Sequence, residues 1–124
     1  MTLLLDTHVA LWWCTDRPRL RRDVRRAIAS SEIVWVSAAS AWEVGIKLAL
    51  GRLRLPAPFS TMVIESEFSE LPVKFSHAER AAVLPRHHSD PFDRMLIAQA
   101  AVEGATLVTH DRRFEPYGVP VIWV

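Results

Sequence analysis

Short, continuously apolar runs alternate along this chain with longer stretches in which apolar and polar positions recur at helical spacing. Leu3-Leu4-Leu5 is apolar throughout and is closed by Asp6, so residues 2–5 read as a short strand buried on both faces. Ile33-Val34-Trp35-Val36, β-branched and aromatic, predicts a second strand. Leu71-Pro72-Val73 predicts a third, and its proline suits a sheet edge. Thr106–Thr109 and Pro120–Trp123 supply a fourth and a fifth. Helical patterns occupy 7–14, 19–29, 59–69 and 76–83. A further helix, which Ser37 or Ser40 can cap, runs to about Leu50 and stops at Gly51. Another opens on Pro91, runs to about Val102 and ends at Gly104. Arg52–Pro58 and Pro85–Ser89 are turn-rich connections. Strands alternating with helices predict an α/β fold on a mainly parallel sheet. Ligands in such sheets sit beyond the carboxyl ends of the strands, where strand order reverses.

Against this pattern four carboxylates stand out. Asp6 ends the first strand, and Asp111 closely follows the fourth. Glu43 and Asp93 lie early in helices that are otherwise strongly apolar, and Asp93 shares a face with Leu96, Ile97 and Ala100. Burying a carboxylate is costly unless it is paired or bound to a metal. Taken singly, each has a structural reading: Asp6 as a helix cap, Ser40-x-x-Glu43 and Asp90-x-x-Asp93 as capping boxes, Glu43 as the i,i+4 partner of Lys47, Asp111 as a turn residue. Taken together, all four fall on one edge of a parallel sheet. Four like charges there would repel and raise their own pKa values, and a hard cation such as Mg²⁺ or Mn²⁺ removes that difficulty.

Composition narrows the alternatives. At 124 residues, half of them hydrophobic and 23% charged, the chain has the make-up of an ordinary globular domain. No apolar run reaches the length of a membrane span, and the first residues show no basic region followed by an apolar segment. Cys14 is the single cysteine, which excludes an internal disulfide and a cysteine-built zinc site. The expectation is one cytoplasmic domain spanning residues 1–124. The net charge of +1 hides a basic segment, Arg17, Arg19, Arg21, Arg22, Arg25 and Arg26, that suits phosphates as well as it suits a solvated helix face. His87, His88 and His110 invite zinc or general-base chemistry, but no His-x-x-x-His spacing appears and loop histidines read first as solvated. His8 reads equally as lining the site or as a core or surface residue. There is no Gly-x-Ser-x-Gly elbow and no phosphate-binding glycine loop. The five tryptophans read as core or oligomer packing before base stacking.

At these residues the chain resembles PIN-domain proteins of the VapC ribonuclease-toxin type. The matching pieces are Leu4-Leu5-Asp6-Thr7-His8, Ser37-x-x-Ser40-x-Trp42-Glu43, Asp90-Pro91-Phe92-Asp93-Arg94-Met95-Leu96-Ile97-Ala98-Gln99-Ala100 and Leu107-Val108-Thr109-His110-Asp111. They lie in order across essentially the whole chain. The resemblance implies a three-layer α/β/α fold with a five-stranded parallel sheet of order 3-2-1-4-5. It implies that Asp6, Glu43 and Asp93 are the acidic metal-site residues, with Asp111 a more variable fourth, Thr7 a supporting hydroxyl and Asp90 a supporting acid that reads first as a helix cap. It implies a Mg²⁺- or Mn²⁺-dependent endoribonuclease leaving 5′-phosphate and 3′-hydroxyl ends, a homodimer, and an antitoxin partner. Arg94, Arg112 and Arg113, close in sequence to the acids, are candidates for contacting RNA phosphates. Two other classes stay open: a PIN-fold binding or regulatory module, and a metal-dependent enzyme acting on DNA or on phosphomonoesters. The lack of Asp-x-Asp-x-Thr after the first strand disfavours a phosphoaspartate phosphatase.

Overall fold

The computed structural model describes residues 1–124 and builds one five-stranded sheet, all parallel. The strands are β1 (Thr2–Leu5), β2 (Ile33–Ser37), β3 (Ser69–Leu71), β4 (Thr106–Thr109) and β5 (Val121–Trp123), in the order β3-β2-β1-β4-β5. This is the expected order, and it places the reversal between β1 and β4. The helices are α1 (Thr7–Cys14), α2 (Arg22–Ser30), α3 (Ala38–Ala49), α4 (Phe59–Glu65), α5 (Phe75–Ala82) and α6 (Pro91–Glu103).

The unbroken apolar run of β1 is explained by the two cores it separates. Leu3 and Leu5 pack with Val9, Val24, Ile28, Val44, Phe59 and Val63, drawn from α1 to α4. Leu4 faces the other way, onto Leu96, Ile97 and Ala100 of α6 and onto Leu107 and Phe114. Successive strand residues alternate faces, so both sides of a central strand must be apolar when both carry helices.

Some boundaries differ from the sequence expectation. β3 occupies 69–71 rather than 71–73, because Leu71 pairs with Ser37, the last residue of β2, and the partner strand turns into a helix there. α4 stops at Glu65 instead of 69, where Glu67 takes a left-handed φ of 63° and turns the chain. α2 starts at Arg22, after a turn in which the Leu20 N–H reaches the Arg17 carbonyl. A 3-10 helix at Arg112–Tyr117 was not anticipated, and its Phe114 is fully buried. No helix is long and apolar enough to cross a membrane.

Candidate metal centre

Asp6 is held by the sheet before it is held by anything else. Its N–H donates to the Val108 carbonyl at 3.0 Å, carrying the β1–β4 pairing one residue past Leu5, which lies opposite Val108. The next step of that register sets Asp6 beside Thr109, whose hydroxyl donates to Asp6 Oδ2 at 2.5 Å. Asp6 Oδ1 accepts from the His8 N–H at 3.2 Å, capping α1. With 2% exposure, this carboxylate is buried and fixed by hydrogen bonds at both oxygens. The supporting hydroxyl expected at Thr7 is therefore supplied by Thr109. Thr7 Oγ1 instead donates to Ser40 Oγ at 2.8 Å and ties α1 to α3.

Ser37 rather than Ser40 caps α3, its hydroxyl accepting from the Ala39 N–H at 3.0 Å. That leaves Glu43 in the second turn, outside any capping box. Its Oε2 faces Lys47 at 3.4 Å, as the i,i+4 spacing predicts. Its Oε1 is buried and has no hydrogen-bond partner.

Asp90 caps α6, accepting from the N–H groups of Phe92 at 2.8 Å and Asp93 at 3.2 Å, and Pro91 takes the first helical position. Asp93 follows in the first turn. Its carboxyl is pushed up to about 8, first by burial and then by the charges of Asp6, Asp90, Glu43 and Asp111. Each of the other three acids picked out from the sequence acts on Asp93, and Asp93 and Asp111 flank the same His88 nitrogen. Asp111 caps the 3-10 helix by accepting from the Arg113 N–H at 3.0 Å. The Arg113 guanidinium grips both its oxygens (Nη2 to Oδ2, 2.7 Å) and holds its carboxyl down at about 2.

His88 was read as a solvated loop residue. The structure corrects this: the side chain is buried, with Nε2 lying 2.8 Å from Asp93 Oδ2 and 3.5 Å from Asp111 Oδ2. A sequence signal existed, since His88 comes two residues before the cap of the helix whose first turn carries Asp93. His8 lies at the rim, half exposed, its Nδ1 3.8 Å from Asp6 Oδ1. Its ring faces His110, with centroids 5.6 Å apart.

Arg94 is also corrected. Its guanidinium donates to the carbonyls of Ala81, Leu84, Pro85 and His88 at 2.9–3.2 Å, so it clamps the α5–α6 connection and is not a free cation for RNA. Arg112 and Arg113 stay exposed at the rim, Arg112 stacked over Trp123 at 4.2 Å. Part of the Arg17–Arg26 segment is engaged locally. Arg25 holds the Leu20 and Arg17 carbonyls, Arg21 pairs with Asp23, and Arg19 lies over Trp12. Among the tryptophans, Trp42 departs from core packing: it is 68% exposed and stands against Phe92 on an apolar groove of about 510 Å³ that includes Met95 and Val73.

The donor set fits a hard divalent cation. Asp6, Glu43, Asp93 and Asp111 offer only oxygen, Glu43 Oε1 has no other partner, and the Asp93 carboxyl is raised by burial and by the neighbouring acids, a cost that a cation offsets. These acids follow the carboxyl ends of a five-stranded parallel sheet or start the helices beside it, the edge where α/β folds bind their ligands. The PIN domain family model matches residues 3–119, and this chain belongs to that family. It is 32% identical over 122 residues to Ribonuclease VapC22 of Mycobacterium tuberculosis, covering 96% of this chain and 94% of that protein. Its fold matches VapBC2 from Rickettsia felis, solved bound to a DNA fragment from its promoter, with a TM-score of 0.71 at 13% identity over 98% of this chain and 96% of that one. A toxin-antitoxin complex from Klebsiella pneumoniae matches with a TM-score of 0.68 at 19% identity over the same shares of the two chains.

Proposed function

We propose that this chain is a Mg²⁺- or Mn²⁺-dependent endoribonuclease and the toxin of a toxin–antitoxin pair, acting in the cytoplasm as a homodimer that an antitoxin protein silences. The observation that carries the catalytic part is the carboxylate set itself: Asp6 buried and fixed at both oxygens, Glu43 with a buried oxygen that has no partner, and Asp93 raised to about 8, first by burial and then by the acids around it. A relative named as a ribonuclease and a structural neighbour described as a toxin-antitoxin complex support the rest.

In this reading Asp6 and Asp93 would hold the cation, and Glu43 and Asp111 would complete or extend the site. Held there, a hard divalent cation would supply Lewis-acid chemistry, making a water more acidic and offsetting phosphodiester charge. The chain's own contribution is preorganisation. Thr109 and the His8 N–H fix both oxygens of Asp6, and Asp90 fixes the start of α6 beneath Asp93. The amino ends of α1 and α6 direct their partial positive charge at the acids, which lowers the cost of gathering them. Arg112 and Arg113 at the rim supply charge for RNA phosphates.

The test is cleavage by purified protein of RNA, single- and double-stranded DNA and a phosphomonoester, each with Mg²⁺ and with EDTA, alongside Asp6→Asn. Metal-dependent cleavage confined to RNA and lost in the variant is expected. Undiminished cleavage by Asp6→Asn, or preference for DNA or the phosphomonoester, would refute the assignment.

A further inference from the structure

His88 is fastened far more thoroughly than a loop residue needs to be. Its N–H donates to the Tyr117 hydroxyl at 2.8 Å, and that hydroxyl donates to the Pro85 carbonyl at 2.7 Å. Its own carbonyl accepts from Arg94 at 3.2 Å, and its ring packs on Phe114 with centroids 5.7 Å apart. Its Nδ1 accepts the Asp90 N–H at 3.3 Å. An acceptor nitrogen carries no proton, so the neutral ring bears its proton on Nε2. That Nε2 is buried between Asp93 Oδ2 and Asp111 Oδ2 and is aligned as a hydrogen bond with neither.

The three donor atoms of His88, Asp93 and Asp111 lie within 4.8 Å of one another, which by itself resembles a mixed nitrogen–oxygen metal site. The tautomer argues against that. A ligating histidine presents a bare nitrogen to the metal and donates its other N–H to an acceptor. Here the other nitrogen already faces a backbone donor, so ligation by Nε2 would set two N–H groups against each other. The same N–H between two carboxyl groups acts without touching a metal: it stands between Asp93 and Asp111 and keeps them apart.

We propose that His88 is a positioning residue of the metal centre. Its Nε2–H, 2.8 Å from Asp93 Oδ2 and 3.5 Å from Asp111 Oδ2, sets where the two carboxyl groups lie by close contact, and the ring stays outside the coordination shell. This rests on the reading of the four acids as a cation site.

Calorimetric titration of Mn²⁺ into wild type, His88→Leu and His88→Gln tests it, with near-ultraviolet circular dichroism to check folding. His88→Leu should weaken Mn²⁺ binding by roughly 10- to 100-fold. His88→Gln, which keeps an N–H donor of similar reach, should recover most of the affinity. Electron spin echo spectra of the Mn²⁺-loaded wild type should contain no nitrogen coupling that disappears in His88→Gln. Wild-type affinity in His88→Leu, a glutamine variant as weak as the leucine one, or a nitrogen coupling that depends on His88 would each overturn the proposal. If His88→Leu does not fold, the affinity of His88→Gln and the echo spectrum still decide it. Absence of Mn²⁺ binding by wild type would instead overturn the cation-site reading itself.

Discussion

Two buried histidines grip the two ends of α6, and they are built alike. His77 accepts the Lys74 N–H on Nδ1 at 3.0 Å and faces Glu103, the last residue of the helix, from Nε2 at 2.8 Å. His88 accepts the Asp90 N–H on Nδ1 and faces Asp93, in the first turn, from Nε2, also at 2.8 Å. The surroundings differ. His77 forms a true hydrogen bond with a single carboxylate that reaches solvent, and the nearby unsatisfied atom is the neutral Gln99 Oε1. His88 has two carboxyl groups and aligns with neither, in a site where burial and the neighbouring acids raise the Asp93 carboxyl to about 8. The same local device closes a structural joint at one end and leaves an incomplete electrostatic arrangement at the other. Both ends keep an unsatisfied buried atom, but only at the His88 end is one of them a carboxylate oxygen, Glu43 Oε1, which a cation would satisfy.

Breaking the comparison at its strongest point means exchanging the two acids for amides. Asp93→Asn should lower RNA cleavage by roughly 10³-fold, since it removes a ligand worth several kcal/mol to the reaction, while Glu103→Gln should cleave like wild type. Initial rates at saturating Mg²⁺ check both.

Acidity offers the next largest contrast. In the metal-free fold Asp93 binds its proton more tightly than an unfolded aspartate does, with a value of about 8 against 3.8. Its contribution to stability is therefore full below about pH 4 and is lost as pH rises towards 8. Denaturant unfolding of the metal-free protein should show this decline, and Asp93→Asn should remove it, gaining several kcal/mol at pH 8. Glu103→Gln should leave the decline in place.

The histidines themselves give a smaller separation. His77→Leu should cost about 1–3 kcal/mol in denaturant unfolding by stranding Glu103 and the Lys74 N–H, yet leave Mn²⁺ affinity unchanged. Smallest is Thr109→Val, which keeps the strand shape but removes the hydroxyl on Asp6. Mn²⁺ affinity should fall by about tenfold, as calorimetry would show.

Much of this was legible in the chain. The run Leu3-Leu4-Leu5 announced a strand buried on both faces, and the proline after Leu71 marked an edge. Opposing cap to site for each acid was less sound, because Asp6, Asp90 and Asp111 all cap helical segments and their charges also act on Asp93. Helices that follow parallel strands start at the carboxyl edge, so a cap there is already at the ligand-binding edge. What stayed hidden depended on long-range register. Thr109 supports Asp6 because β4 lies beside β1, across 103 residues of sequence. Arg94 looked like a phosphate contact because no local pattern shows four carbonyls converging on it from the α5–α6 connection. His88 looked solvated because its burial depends on Phe114 and Tyr117, in a 3-10 helix that the sequence did not announce.

The central claim is that the gathered acids form a cation site whose protonated member gives way to the metal. Calorimetric titration of Mn²⁺ at pH 7 in two buffers of different ionisation enthalpy measures both binding and the protons it displaces. Saturable binding that releases about one proton, a release lost in Asp93→Asn, is the predicted result. No binding, or the same proton release in the variant, would contradict it.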